Sequence, residues 1–407
     1  MSLEQQQQLE ATYVMSTFGR KPVELVRGKG MYVYDDEGRA YLDFLAGIGV
    51  VSLGHCHPWL VEAIAAQAAK LIHVGNYYYI ENRGEVAEHV SRLLEEPDVN
   101  GQAPEPGHWK SFFANSGAEA NECAIKLARL YAKRAGRQAQ NIVTLERSFH
   151  GRTLATLAAT AQPAKQEAFQ PLPAGFIHTP INDIAALEAL FEREADSICA
   201  VMVECVQGES GVHPCTQEFL AAAERLAHGC GALLICDEVQ SGMYRCGKRP
   251  FAFQRLCVQP DIVTIAKGVA SGFPMGICAA RAQIADTFEP GDHGTTFGGS
   301  SLAVAAAKAT LELMDHQPFI DNIEETGAYL REQLAQLPHV IEVRGLGLMC
   351  ACDLEEGFSA PDVVAQGQEG GALFNATGPA TLRFLPPLVC EKQHVDELIA
   401  LLSRLLA

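Results

Sequence analysis

Lys267 follows the apolar run Ile262-Val-Thr-Ile-Ala266 and precedes Gly268. An amine at the end of a buried strand is drawn into surroundings that disfavour its ammonium form, which exposes a nucleophile suited to a Schiff base. The same side chain could instead snorkel from the strand end to water. Thirty residues earlier, Asp237 ends a second apolar run, Leu233-Leu-Ile-Cys236. A carboxylate there can pair with a pyridinium nitrogen, the charge pair that makes pyridoxal phosphate an electron sink, or can cap the helix that follows. A third segment, Asn115-Ser-Gly-Ala-Glu-Ala-Asn-Glu122, comes directly after Ser111 to Ala114 and opens a helical stretch through Arg129. Small residues at such a turn leave backbone N–H groups free for a single phosphate at the positive end of the helix, although a plain Ser or Asn cap reads the same way. The loop lacks the Walker lysine, and no Gly-x-Gly-x-x-Gly follows the first strand. A nicotinamide oxidoreductase on a Rossmann sheet therefore loses its main support.

These side chains need a frame that ends several strands at one rim. Short, nearly continuous apolar runs are expected as strands at Ser111 to Ala114, Asn141 to Leu145, Ile198 to Glu204, Leu233 to Asp237 and Ile262 to Ala266, alternating with helical stretches. The pattern implies an α/β fold with a mostly parallel sheet, and ligands of such sheets sit outside the C-terminal strand ends, where Asn115, Glu204, Asp237 and Lys267 fall. After about Ala303 the pattern changes. Helices are expected at Ala303 to Met314, Ile320 to Leu337 and Val395 to Leu406, with a strand at Val340 to Arg344, which reads as a smaller α+β domain. The N-terminal alternation Met31 to Tyr34 and Tyr41 to Phe44, around the turn Asp36 to Arg39, is expected to be a hairpin belonging to that smaller domain. The expected division is residues 1–60 as an N-terminal segment joining the small domain, 61–303 as the large domain and 304–407 as the small one.

The chain has 407 residues, 48% hydrophobic and 20% charged, with 31 basic against 49 acidic residues and a net charge of −18. That suffices for a large core, and the acidic balance disfavours a nucleic-acid partner. No apolar stretch approaches the roughly 20 residues of a membrane span, and the polar opening Met1 to Glu10 lacks the order of a secretory signal. Thirteen cysteines without a Cys-x-x-Cys pair suggest reduced thiols in a cytoplasmic protein. His55-Cys-His57 precedes Pro58 without a second ligand pair and reads as a turn, so no metal site is expected. Val343-Arg-Gly-Leu-Gly-Leu348 reads as a bend in the small domain.

Six segments, Asn115 to Glu122, Ser148-Phe-His-Gly-Arg-Thr153, Glu204-Cys-Val-Gln-Gly-Glu209, Asp237-Glu-Val-Gln-Ser-Gly242, Ala266-Lys-Gly268 and Thr295-Thr-Phe-Gly-Gly299, resemble in order and spacing the motif series of class III aminotransferases. The resemblance runs over nearly the whole chain and implies a fold-type I pyridoxal 5'-phosphate enzyme. It implies that Lys267 holds the cofactor covalently and serves as catalytic base and acid, that Asp237 pairs with the ring nitrogen and that Gln240 meets the ring hydroxyl side. Phe149 is similar to the family's aromatic that stacks on the ring, although spacing alone would make it a core residue. Ser116, Gly117 and Ala118 are implied as a phosphate cradle, with Thr296 reaching it from a neighbouring subunit, hence a homodimer. Arg152 is implied to grip a carboxylate far from the reacting amine, where the motif-free reading is a surface ion pair. Arg383 is implied to take the α-carboxylate of 2-oxoglutarate or glutamate, with Glu209 masking it during the other half-reaction; a static salt bridge is the alternative. Thr17 to Arg20, Leu42 to Ile48, Leu53 to Pro58 and Leu382 to Leu388 are most similar to the branch of the family that acts on N-acetylornithine in arginine biosynthesis. Ornithine, succinylornithine and 4-aminobutyrate are the alternative donors.

Overall fold

The computed structural model describes residues 2–105 and 107–407. Its centre is a seven-stranded sheet of β1 (Trp109–Ala114), β2 (Asn141–Leu145), β3 (Phe176–Thr179), β4 (Ile198–Val203), β5 (Leu233–Asp237), β6 (Ile262–Ile265) and β7 (Gly276–Arg281), in the order β1-β7-β6-β5-β4-β2-β3. The pairs among β3, β2, β4, β5 and β6 are parallel, while β7 runs antiparallel to both β6 and β1. All six residues of β4 and all five of β5 are buried, because both faces of the sheet are covered. Alternate residues of one strand enter different cores: Cys199, Ala200 and Met202 pack with Ala120, Ala124, Leu127 and Ala128 of the helix Gly117–Arg134, whereas Val201 and Val203 pack in the larger core with Phe219, Leu220 and Ala223 of the helix Gln217–Gly229.

The strands end within one residue of the sequence expectation, and two of the seven, β3 and β7, were not anticipated. β3 is a four-residue strand at the sheet edge. Half of β7 is glycine and alanine, which carry little strand preference of their own. Glycine is required at the start of β7, since a Cβ on Gly276 would sit 2.1 Å from the Ser116 carbonyl oxygen. The close approach of β7 to the turn after β1 is what holds that turn in place.

C-terminal to the sheet, the helices Ser301–Met314, Gln317–Leu334 and Lys392–Leu405 accompany a four-stranded antiparallel sheet of Val340–Leu346, Met349–Leu354, Thr381–Phe384 and Asn375–Ala376. The strand expected to stop at Arg344 continues to Leu346, so Gly345 of the expected bend pairs with Cys350 within the ladder and only Gly347 lies in the hairpin turn into Met349. The N-terminal strands Leu25–Lys29, Tyr32–Asp35 and Ala40–Asp43 form a meander that gains a fourth, parallel strand from Ala372–Leu373. No helix among the described residues is long and apolar enough to cross a membrane.

Candidate active site

Outside the C-terminal ends of β1, β5 and β6 lies a cavity of about 440 Å³, within the range of small-molecule sites. Ser116, Gly117, Ala118, Phe149, Arg152, Asp237, Gln240 and Lys267 all line it. Lys267 starts the single turn Lys267–Ala270 after β6 with a φ of 47°, a left-handed conformation that costs a non-glycine residue roughly 1–2 kcal/mol and that fixes where its amine points. Burial pushes the amine down to about 8; the Glu209 carboxylate works against that shift and the Arg383 guanidinium adds to it. A neutral, nucleophilic amine is thereby accessible near neutral pH.

Asp237 is 4% exposed and fully engaged. Its Oδ2 accepts from Asn121 Nδ2 at 2.8 Å and from His150 Nδ1 at 2.8 Å, and its Oδ1 accepts from the Val239 N–H at 3.0 Å. Burial works to lower the pKa of His150, but the hydrogen bond and charge of Asp237 outweigh it and raise the value. Beside them, burial raises Glu204 to about 7, with the neighbouring His150 opposing that and Asp237 adding to it. Glu204 accepts from the Phe149 N–H at 2.7 Å and from the Gly208 N–H at 3.3 Å, which fixes the loop carrying the aromatic ring. Asn121 and His150 escaped the sequence reading. The available signal for Asn121 was a lone amide on the helix face otherwise made of Ala120, Cys123, Ala124, Leu127 and Ala128.

The phosphate-like end of the cavity is the first turn of the helix Gly117–Arg134. Ser116 is its N-cap and accepts from the Glu119 N–H at 3.2 Å, so the capping reading of this loop is correct as far as it goes. Capping leaves the N–H groups of Gly117 and Ala118 without intrahelical partners at the positive helix end. A Cβ on Gly117 would lie 2.6 Å from Val239 Cγ1, so glycine lets this turn pack against the segment after Asp237.

Glu209 and Arg383, 174 residues apart in sequence, do not line the cavity but meet behind its lining residue Gln240. Arg383 is 1% exposed, and its Nη1 donates to Glu209 Oε1 at 2.8 Å, Gly208 O at 2.9 Å and Gln240 Oε1 at 3.3 Å, while its Nε donates to Asn375 Oδ1 at 3.1 Å. Gln240 Nε2 also donates to Glu209 Oε1 at 3.0 Å, so its amide bridges the ion pair to the cavity. Burial would raise the Glu209 carboxyl, but the charges of Arg383 and Lys267 prevail and hold it down at about 2. Thr296, expected to reach the phosphate site of a neighbouring subunit, lies apart from this cavity: it is exposed and borders a different hollow with Asn76, Tyr77 and Phe113. His55 of the His-Cys-His turn meets Asp43 at 2.7 Å, and among the described residues no group of His, Cys, Asp and Glu has an arrangement that could hold a metal ion.

A buried carboxylate braced by two side-chain donors, an amine of lowered pKa and a helix N-terminus are gathered around one cavity. The model of the family "Aminotransferase class-III" matches residues 15–406. The chain belongs to the class III aminotransferases. This aminotransferase is 46% identical over 404 residues to the acetylornithine aminotransferase of Methanocaldococcus jannaschii, covering 98% of this chain and 97% of that one. It is 45% identical to that of Caldanaerobacter subterraneus, covering 98% of each. Among solved structures, the ornithine aminotransferase of Toxoplasma gondii superposes with a TM-score of 0.90 at 29% identity, covering 99% of this chain and 94% of that one. The acetylornithine aminotransferase of Elizabethkingia anophelis gives 0.84 at 31% identity, covering 99% and 98%. The fold is that of the fold-type I pyridoxal phosphate enzymes, and pyridoxal 5'-phosphate is the cofactor of this aminotransferase. The site suits that molecule: besides the amine and the carboxylate, His150 Nε2 and Asn121 Oδ1 are buried without partners on residues that line the cavity.

Proposed function

We propose that the aminotransferase moves the δ-amino group of N2-acetyl-L-ornithine to 2-oxoglutarate, giving N-acetyl-L-glutamate 5-semialdehyde and L-glutamate, a step of arginine biosynthesis. The observation that carries the reading is the Glu209–Arg383 pair, 2.8 Å apart and tied through Gln240 to the Lys267 cavity. With the pair closed, no bare guanidinium competes for the α-carboxylate of a donor whose reacting amine lies at its other end. With the pair open, Arg383 can take the α-carboxylate of 2-oxoglutarate. Both substrates fit one site because Glu209 moves. The names of the relatives at 45–46% identity support the acetylated donor.

Pyridoxal phosphate, when bound, supplies the carbonyl that takes up the amine and the electron sink that acidifies the neighbouring C–H bond. Lys267 Nζ would hold the cofactor between turnovers and would carry the proton away from the donor's δ-carbon, as base and then as acid. Asp237, braced by Asn121 and His150, keeps negative charge opposite the ring nitrogen. Phe149 would cover one face of the ring, Gln240 would stand at its hydroxyl side, and Ser116, Gly117 and Ala118 would take the phosphate. Arg152 grips the donor's α-carboxylate and the distal carboxylate of the acceptor, the bidentate work to which a guanidinium is suited.

The Thr296 of a second copy completes the phosphate site in this reading, which makes the protein a homodimer. Support comes from the surface around it. Tyr77 is 98% exposed, Tyr79 103% and Phe297 63%, and Asn76 Nδ2 ties the two segments by donating to Thr295 O at 2.9 Å. Apolar side chains gathered on one face in this way mark an interface. The test is a panel of half-reactions with acetylornithine, ornithine, succinylornithine and 4-aminobutyrate, followed by loss of the cofactor's visible band. Fastest conversion by acetylornithine is expected, and faster conversion by another donor overturns the assignment. Light scattering checks the dimer.

A further inference from the structure

The Glu209–Arg383 pair joins two unlike halves. The Glu209 side chain is 25% exposed and that of Arg383 1%. Arg383 sits on the strand Thr381–Phe384 between Met349–Leu354 and Asn375–Ala376, with Ala351 and Asn375 as its direct partners across the sheet. Phe44 fastens the backbone on both sides of that pairing, its N–H donating to Leu373 O and its carbonyl accepting from the Leu385 N–H, each at 2.7 Å. The rings of Phe374 and Phe384, the neighbours of Asn375 and Arg383 in the chain, pack with their centroids 5.5 Å apart. Beyond the strand, Arg245 Nη1 donates to Pro386 O at 2.5 Å and to Leu348 O at 3.1 Å, which ties the strand to the segment that follows Asp237. Glu209 lies instead in the connection between the two-residue strands Val206–Gln207 and His213–Pro214, with Gly208 before it and Gly211 two residues after.

One side chain holds the guanidinium itself within that frame. Asn375 Oδ1 accepts from Arg383 Nε at 3.1 Å, while Asn375 Nδ2 is turned to Ala376 O at 3.4 Å. A guanidinium presents its five N–H groups in one plane, so a bond to Nε, added to the attachment of the stem, fixes the direction of that plane. Nη1 is left to meet Glu209 Oε1, Gly208 O and Gln240 Oε1. A guanidinium gripped only by Glu209 would follow the carboxylate as it left, whereas one also gripped at Nε keeps its place. We propose that Asn375 is a positioning residue of the acceptor step: by holding Arg383 at Nε it makes the arginine the fixed half of the pair, so that the pair opens through Glu209 alone and the α-carboxylate of 2-oxoglutarate meets a guanidinium already oriented. Asn375 does not line the cavity and acts only through Arg383. The inference rests on the reading of Glu209–Arg383 as a switch given above.

The experiment compares wild type, N375A, N375D and R383L, each loaded with cofactor. Calorimetric titration with glutarate, a five-carbon dicarboxylate without a carbonyl to react, reads acceptor binding with no turnover. The half-reactions with 2-oxoglutarate and with acetylornithine each give a maximal rate and a half-saturating concentration. Loss of one hydrogen bond to a charged group is expected to weaken glutarate about tenfold in N375A and to raise the half-saturating 2-oxoglutarate by a similar factor, with the maximal rate changed about threefold or less. Acetylornithine, which reacts with the pair closed, should lose much less. N375D keeps the size and the accepting oxygen but sets a second carboxylate beside the guanidinium, so glutarate should bind more weakly still, again with the greater loss on the 2-oxoglutarate side. A bond that served only to hold the sheet together would cost both half-reactions equally. Unchanged glutarate binding in N375A, or equal losses for the two substrates, overturns the proposal and leaves the switch standing. R383L that binds glutarate as wild type does overturns the switch as well. Where N375A fails to fold, N375D carries the comparison, and glutarate binding in it equal to that of wild type refutes the proposal.

Discussion

Glu209→Ala separates a working switch from a static salt bridge. The Glu209 carboxyl lies at about 2 against an ordinary 4.5, a preference of roughly 3 kcal/mol for the charged form in its place beside Arg383. Removing it leaves the guanidinium 1% exposed but still donating to Gly208 O, Gln240 Oε1 and Asn375 Oδ1. The loss should therefore fall below the 3–5 kcal/mol of a broken buried pair, at about 2–3 kcal/mol. In the ω-amine half-reaction the freed Arg383 captures the donor's α-carboxylate and brings the wrong carbon to Lys267, so kcat/KM should drop about 30- to 150-fold. Glutamate, which needs the pair open, should be converted at least as fast as by wild type. Single-turnover spectra at limiting donor measure both. Equal losses for the two donors, or a greater loss for glutamate, would refute the switch and leave Glu209–Arg383 a fixed structural bridge.

Lys267→Ala should bind cofactor without joining it covalently and show no transamination; an adduct elsewhere after borohydride reduction and peptide mass spectrometry would remove Lys267 from its role. His150→Leu takes away one of the two side-chain donors to Asp237 Oδ2 and should lower kcat about 10- to 100-fold with little change in KM, read by steady-state kinetics. Gly276→Ala forces a methyl group into the Ser116 carbonyl and should weaken cofactor binding and lower the melting temperature by an amount equivalent to about 1–3 kcal/mol, measured by cofactor titration and thermal unfolding. Because the folded-state pKa of Glu209 is depressed, its contribution to stability is present above about 4.5 and is lost as the pH falls toward about 2; Glu209→Gln should flatten the wild-type stability curve in that window, as followed by denaturant titration.

The residues that could be read from sequence were those whose meaning is local. Lys267 and Asp237 stand out because each ends an unbroken apolar run, and the turn at Ser116 because small residues there separate a strand from a helix. The partnership of Glu209 with Arg383 has no local signature: 174 residues and a change of sheet lie between them, and only the ordered motif series pointed to it. His150 and Asn121 were passed over for a related reason. Their value is a shared acceptor, Asp237 Oδ2, reached from two different elements. Of the seven strands of the central sheet, β3 and β7 were the ones not foreseen, one a partly exposed edge strand without an unbroken apolar run and the other too rich in small residues for periodicity to register. Yet β7 positions the turn at Ser116, so an element nearly silent in the sequence has a large part in shaping the cavity.

The parallel pairing of Ala372–Leu373 with Leu42–Asp43 has a bearing on biosynthesis. The amino-terminal meander leaves the ribosome early and must wait, one edge unsatisfied, until a segment translated some 330 residues later arrives to cover it. Arg383 follows ten residues after that segment. A nascent chain cut short before it can build the whole parallel sheet and still lack the cation that recognises its acceptor, so quality control at the level of translation bears directly on whether amino groups reach the correct product.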